Sequence, residues 1–237
     1  MSAESAALER LFSLMARLRG PGGCPWDAAQ TPATLVPYLL EEAYELADAV
    51  VEGDDQAVRE ELGDLLVEVA MQSAIAAERG AFDLAAVADA AAAKMVARHP
   101  HVFGDAVVGN QPELLRNWDR IKREEKPHRS SALDGVPASL PALSRAVLVQ
   151  RRAARGGPGP EGLGPPPQPL ATLAAGLAAA EPGSADAGRQ VGELLWQLVS
   201  ECMRLGVDPE MVLRVTTDRR AARYRAVEAR DREHPGS

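Results

Sequence analysis

The stretch LLEEAYELAD, residues 39–48, sets three carboxylates, Glu41, Glu42 and Glu45, on little more than one turn of a largely apolar segment. A second acidic group, EELGDLLVEV, begins at Glu60. Leu35, Leu39, Ala43, Leu46 and Val50 recur at three-to-four spacing around the first group, which predicts an amphipathic helix with one core-facing stripe. Leu62, Leu65, Leu66 and Val69 predict the same for the second. Only the short turn EGDD, residues 52–55, separates them, so an antiparallel helical hairpin is expected. Counting outward from Gly53, Glu45 and Glu61 each lie about 12 Å from the turn, and Glu42 and Asp64 each about 16 Å. Partners within a helix are three apart and share a face, so four carboxylates would converge between helix axes about 8–10 Å apart.

Converging carboxylates repel, and neighbouring leucines raise the cost of charging them. They protonate, fan out into water, or are held by a cation; an all-oxygen set suits a hard divalent ion such as Mg²⁺. A di-iron bundle would need Glu-x-x-His on its helices, and none of the histidines, 99, 101, 128 and 234, has that spacing. The polar faces of two ordinary amphipathic helices would show much the same pattern, and geometry alone does not separate the two readings.

The rest of the chain favours helix throughout. Only 4% of the residues are aromatic, and alanine dominates many segments, which favours an all-α fold over sheet. A formal charge of −8 argues against binding a nucleic-acid polymer or an anionic membrane by bulk electrostatics. No apolar run has the length of a membrane span, and the acidic, amphipathic N-terminus does not read as a signal peptide. Cys24 and Cys202 lack metal-ligand spacing and read as free thiols, so a cytoplasmic protein is expected.

A first helix is expected over about residues 4–19, ending in the loop GPGGCPWD. Thr31 and Pro32 read as N-cap and first helical residue of the first acidic helix. Gly80 closes the second, and later helices end at His99–Pro100 or open at Pro112 and Pro141. GGPGPEGLGPPPQP, residues 156–169, reads as a linker. Beyond it, QVGELLWQLV from residue 190 echoes ELGDLLVEVA from residue 61, with Gln190 for Glu61 and Glu193 for Asp64, while residues 163–180 contain no acid.

Glu-Glu-x-x-Glu followed by Glu-x-x-Asp, here Glu41, Glu42, Glu45, Glu61 and Asp64, resembles the all-α MazG nucleoside triphosphate pyrophosphohydrolases. The likeness covers about residues 8–155 and includes GCPWDAAQT, ELGDLL, RHPHVFGD, NWDRIKREEK and SALDGVPASLPAL, in that order. It implies a four-helix-bundle-type domain over residues 1–155; the Gly/Pro-rich stretch 156–169 then reads as a linker, and the echo beyond it as a degenerate, non-catalytic helical repeat over 170–237. The activity implied is hydrolysis of nucleoside triphosphates to monophosphate and pyrophosphate, a house-cleaning of surplus or aberrant nucleotides. Narrower relatives, a dUTP or dCTP pyrophosphatase or the phosphoribosyl-ATP enzyme, are the alternatives within the superfamily. A non-catalytic helical interaction module is the alternative of another class.

By motif position, Glu42, Glu45, Glu61 and Asp64 would hold Mg²⁺, with Mn²⁺ as substitute. Glu41 would be a further ligand or the group that orients and deprotonates water. Lys94 and Arg98, four apart on one helix, would grip the phosphates; a solvated face would look the same. Trp118 and Lys122 stand where the family places a nucleotide-contacting segment, although Leu114, Leu115, Trp118 and Ile121 also share a core-like stripe. Trp26 is a candidate base contact of the same ambiguity. His99 and His101 read as loop packing. A homodimer is expected, because a two-helix hairpin needs further helices to bury its apolar side.

Overall fold

The computed structural model describes residues 2–107, 109–126, 128–156, 159–163 and 168–233. Among these residues every regular element is helical, so the expected all-α class holds. The chain divides into two compact units, 1–107 and 108–237.

The first unit holds α1 (Ala3–Arg19), α2 (Pro25–Ala29), α3 (Val36–Glu52), α4 (Asp55–Glu78), α5 (Leu84–Arg98) and α6 (Pro100–Phe103). Helix α3 pairs with α4, and α1 and α5 each pack on α4. The hairpin is built locally. Gly53 takes a left-handed conformation at φ 75°, and the N–H groups of Gly53 and Asp54 both donate to the Ala49 carbonyl. Asp54 then caps α4, its carboxylate accepting from the N–H groups of Gln56 and Ala57. Met15, Leu35, Ala70, Met71 and Ile75 form the core, flanked by Leu11, Phe12, Leu18 and Val67.

Three local expectations need correction. GPGGCPWD is not all loop, since Pro25 starts the short helix α2 with a proline whose missing N–H costs nothing at a first turn. Thr31 does not cap α3: it pairs with Thr34 in a separate turn, and the helix starts at Val36. The reason is Pro37, which has no N–H to give to the residue 33 carbonyl, so the ladder cannot run through from Pro32. The buried faces are also rotated from those expected. Leu35 at the head of α3 and Leu39, Glu42, Leu46, Ala47 and Ala49 within it turn inward, while Ala43 and Val50 are exposed. On α4, Leu65 and Leu66 are half-buried, but Leu62 and Val69 face outward, at 53% and 41% exposure.

The second unit holds α7 (Gln111–Glu124), α8 (Ala142–Arg155), a 3₁₀ turn (Pro160–Leu163), α9 (Leu170–Ala179), α10 (Ala185–Arg204) and α11 (Pro209–Glu233). Helix α8 packs on α10 and α11, and buried Gln150 ties it to α10 by donating to the Trp196 carbonyl and accepting from Ser200. The compact units part at residues 107/108, and of the Gly/Pro-rich stretch 157, 158 and 164–167 lie outside the described residues. The SALDGVP segment is a turn in which Asp134 accepts from the N–H groups of Ser130 and Ser131, and Arg152 of α8 donates to the Asp134 carbonyl. Helices α9 and α10 form a second hairpin around Gly183, at φ 78°, with Ser184 capping α10.

No helix among the described residues is long and apolar enough to cross a membrane. Both cysteines are free thiols.

Candidate metal centre

Glu42 and Glu45 project from α3 and Glu61 from α4, and one carboxylate oxygen of each lies within 4.8 Å of the others. The hairpin supplies this convergence: the turn at Gly53 is tight, so residues equally far from it come level across the helix pair. Glu42 and Glu61 are half-buried, and Glu45 is exposed.

Desolvation, and after it neighbouring negative charge, pushes two of the carboxyls up. Glu42 is raised first by burial, then by Asp64, Glu45, Glu61 and Glu41. Glu61 is raised first by burial, then by Glu45, Asp64 and Glu60, with a hydrogen bond to Glu42 opposing part of the rise. Asp64, exposed on α4, thus acts on both, although it stands outside the tight group of three. Glu41 is exposed and contributes the smallest of the charges felt by Glu42. Carboxylates that resist ionisation side by side are relieved by a cation between them.

The donor set fits a hard divalent ion. All donors are carboxylate oxygens, and oxygens separated by 4.8 Å or less are within a small rotamer adjustment of an octahedral shell, whose ligands stand about 2.0–2.1 Å from Mg²⁺. No nitrogen or sulfur donor joins the group among the described residues.

A model of the MazG nucleotide pyrophosphohydrolase domain matches residues 30–103, the stretch that carries all five acids. Over 228 residues the chain is 39% identical to the nucleoside triphosphate pyrophosphohydrolase of Escherichia coli strain K12, covering 93% of this chain and 87% of that protein. The chain belongs to the MazG family. Its likeness to the Thermotoga maritima nucleoside triphosphate pyrophosphohydrolase/pyrophosphatase MazG is 38% over 225 residues, 93% of this chain and 85% of that protein. A Mycolicibacterium smegmatis nucleoside triphosphate pyrophosphohydrolase is 40% identical over 149 residues, 61% of this chain and 45% of that protein.

The other residues singled out in this MazG chain fall in several places. Lys94 is exposed and Arg98 half-buried on α5, and the charges that act on Glu42 and Glu61 are carboxylates, neither of these cations. Trp26 on α2 is 54% exposed and meets Tyr38 of α3 edge-on, ring centres 5.8 Å apart at 76°. Tyr38 is one helical turn before Glu42, so this aromatic pair stands beside the acidic helix. Trp118 and Lys122 belong to α7 in the second unit, where the Lys122 ammonium lies 4.1 Å from the centre of the Trp118 ring. Trp118, Leu114 and Ile121 are half-buried, and the Leu115 side chain, expected in the same stripe, lies outside the described residues. His99 and His101 sit at the break between α5 and α6, rings 5.6 Å apart, with His99 Nδ1 on the Met95 carbonyl.

Sequence reasoning passed over Glu68 and Tyr38. Glu68 is one turn beyond Asp64 on α4, 8% exposed, pushed up by burial, and its Oε2 has no hydrogen-bond partner. The signal was present: Glu61, Asp64 and Glu68 follow helical spacing along one side of α4. It was masked because a leucine-rich segment with one more acid reads as an ordinary amphipathic face.

Proposed function

We propose that this chain hydrolyses nucleoside triphosphates to the monophosphate and pyrophosphate, using a divalent cation held by Glu42, Glu45, Glu61 and Asp64. The observation that carries this reading is the convergence of Glu42, Glu45 and Glu61 across the Gly53 hairpin. The names of the relatives support the reaction, and the all-oxygen donor set supports Mg²⁺, with Mn²⁺ as substitute. A cation bound there would draw charge from the phosphates and acidify a coordinated water. Glu41, on the same turn of α3 and outside the tight group, is the carboxylate we assign to orienting that water and taking its proton.

Lys94 and Arg98, one turn apart on α5, are the cations we assign to the triphosphate. Trp26, exposed and braced by Tyr38, is the side chain we assign to the base. The Trp118–Lys122 pair is left out, because the ring face is already covered by its own ammonium.

We place all catalysis in the first unit. In the second hairpin Gly176 and Gln190 each lie seven residues from Gly183, as Glu45 and Glu61 each lie eight from Gly53. There the side chain of Gln190 packs directly on Gly176, where even a Cβ would meet Oε1 at 2.8 Å. Buried Leu173 holds the level that Glu42 holds in the first. With glycine and glutamine at the level of Glu45 and Glu61, and leucine at that of Glu42, Glu193 is the one acid left of the set. A homodimer is supported by Leu40, Tyr44, Val51, Leu62 and Val69, large apolar side chains exposed on the acidic hairpin.

The test is hydrolysis of a nucleotide panel with pyrophosphate detection, with and without Mg²⁺. Cation-dependent release of pyrophosphate and monophosphate together is expected. Release of single phosphates, or turnover indifferent to the cation, would remove the assignment.

A further inference from the structure

Helix α2 has no buried residue, no side-chain cap at Cys24, and only five residues, too few to be stable by its own hydrogen bonds. Yet it carries the exposed Trp26 at a fixed angle to Tyr38. What holds it is polar. The chain doubles back over the end of α1 through Gly23, where a Cβ would strike the carbonyls of Arg17 and Leu18, and Cys24 N–H donates to the Leu18 carbonyl. Arg19, its side chain 4% exposed, then joins three segments. Its Nε and Nη2 donate to the two oxygens of Glu78 on α4, both at 2.7 Å, and its Nη1 donates to the carbonyls of Asp27 and Gln30 at the end of α2. Gln30 in turn donates from its side chain to the Trp26 carbonyl at 3.0 Å and accepts from Thr34 at 2.7 Å.

We propose that Arg19 is a positioning residue for nucleotide recognition: by tying α2 to Glu78 it holds Trp26 against Tyr38, presenting an ordered aromatic surface to the base. The inference rests on the assignment of Trp26 to the base. Only a planar fork can serve a carboxylate and two carbonyls at once, so lysine keeps the charge and loses the geometry. Glu78 keeps the fork oriented: the hydrogen bond holds its carboxyl below the ordinary range and the guanidinium above.

A double-mutant cycle on the full chain decides it, reading KM and kcat separately for a nucleoside triphosphate with Arg19→Lys, Trp26→Ala and both together. Each single change is expected to raise KM by about fivefold or more, the loss of one aromatic stack on a base, with kcat little altered. The double variant should be no worse than Trp26→Ala, because Arg19 acts through the ring. Additive effects would show a merely structural Arg19 and overturn the proposal. A raised KM in Trp26→Ala beside an unchanged Arg19→Lys would overturn it alone, whereas an unchanged KM in Trp26→Ala would overturn the base assignment as well. Glu78→Gln, which weakens the same tie while leaving Arg19 in place, repeats the cycle should Arg19→Lys fail to fold.

Discussion

Glu45 on α3 and Glu61 on α4 stand eight residues either side of Gly53, and a carboxylate oxygen of each lies within 4.8 Å of the other. That level pairing turns two acidic helix faces into one site, and most of what can be tested follows from it.

Glu61→Gln keeps the shape of the side chain and removes the charge that a cation needs. The variant is expected to fold normally, with an unchanged helical signal. Its cation affinity and turnover should fall by at least the ~10–100-fold typical of disturbing an outer partner of a metal ligand. Calorimetric titration with Mn²⁺ and pyrophosphate release measure the two quantities, and wild-type rates in Glu61→Gln would count against the centre.

The counterpart in the second hairpin should behave differently. Glu193 is exposed on α10, at the level of Asp64, but among the described residues it belongs to no group of converging carboxylates. Glu193→Gln is expected to leave kcat/KM within about twofold of wild type. A large loss would move part of the catalysis into the second unit.

The hairpin itself depends on a left-handed residue. Gly53 has φ 75° with open space around a would-be Cβ, so Gly53→Ala adds backbone strain and no clash. The expected loss is about 1–2 kcal/mol, seen as a lower denaturant midpoint. No change in midpoint would mean that the turn relaxes freely.

The pH dependence of stability has a definite sign. Glu42, Glu61 and Glu68 are raised above 4.5, so the folded state binds more protons than the unfolded chain between that value and their raised values. Without a cation, their contribution to stability is fully present below 4.5 and is lost as pH rises through the raised values. Glu78, held low by Arg19, contributes in the opposite sense, losing its stabilisation only as pH falls through its lowered value. A divalent ion is expected to restore melting temperature at neutral pH and to do little in acid. Thermal melts across pH with and without Mg²⁺ would expose an error as a cation effect equal at all pH values.

Glu68 separates burial from metal binding. Its unpartnered carboxyl is buried on α4, so Glu68→Gln is expected to flatten the fall in stability with rising pH while the cation-dependent gain persists. Loss of that gain in Glu68→Gln would make Glu68 part of the cation site.

The linear order of residues was enough for the helical class, the acidic hairpin and the level of the acids, though not for the short helix α2 or the start of α3. Helical rise is constant and the turn is short, so counting from Gly53 is a measurement of height, and the convergence of Glu42, Glu45 and Glu61 follows from it. Rotation about each helix axis was not legible. Glu42 took an inward position and Leu62 an outward one because burial depends on which neighbours each helix meets, not on its own periodicity. The same holds for the Arg19–Glu78 tie, made between residues 59 apart, and for α8, which Gln150 and Ser200 join to α10 beyond a glycine- and proline-rich stretch. Local spacing dictates elements and their heights; contacts between distant segments choose the face, and only the folded chain brings those segments together.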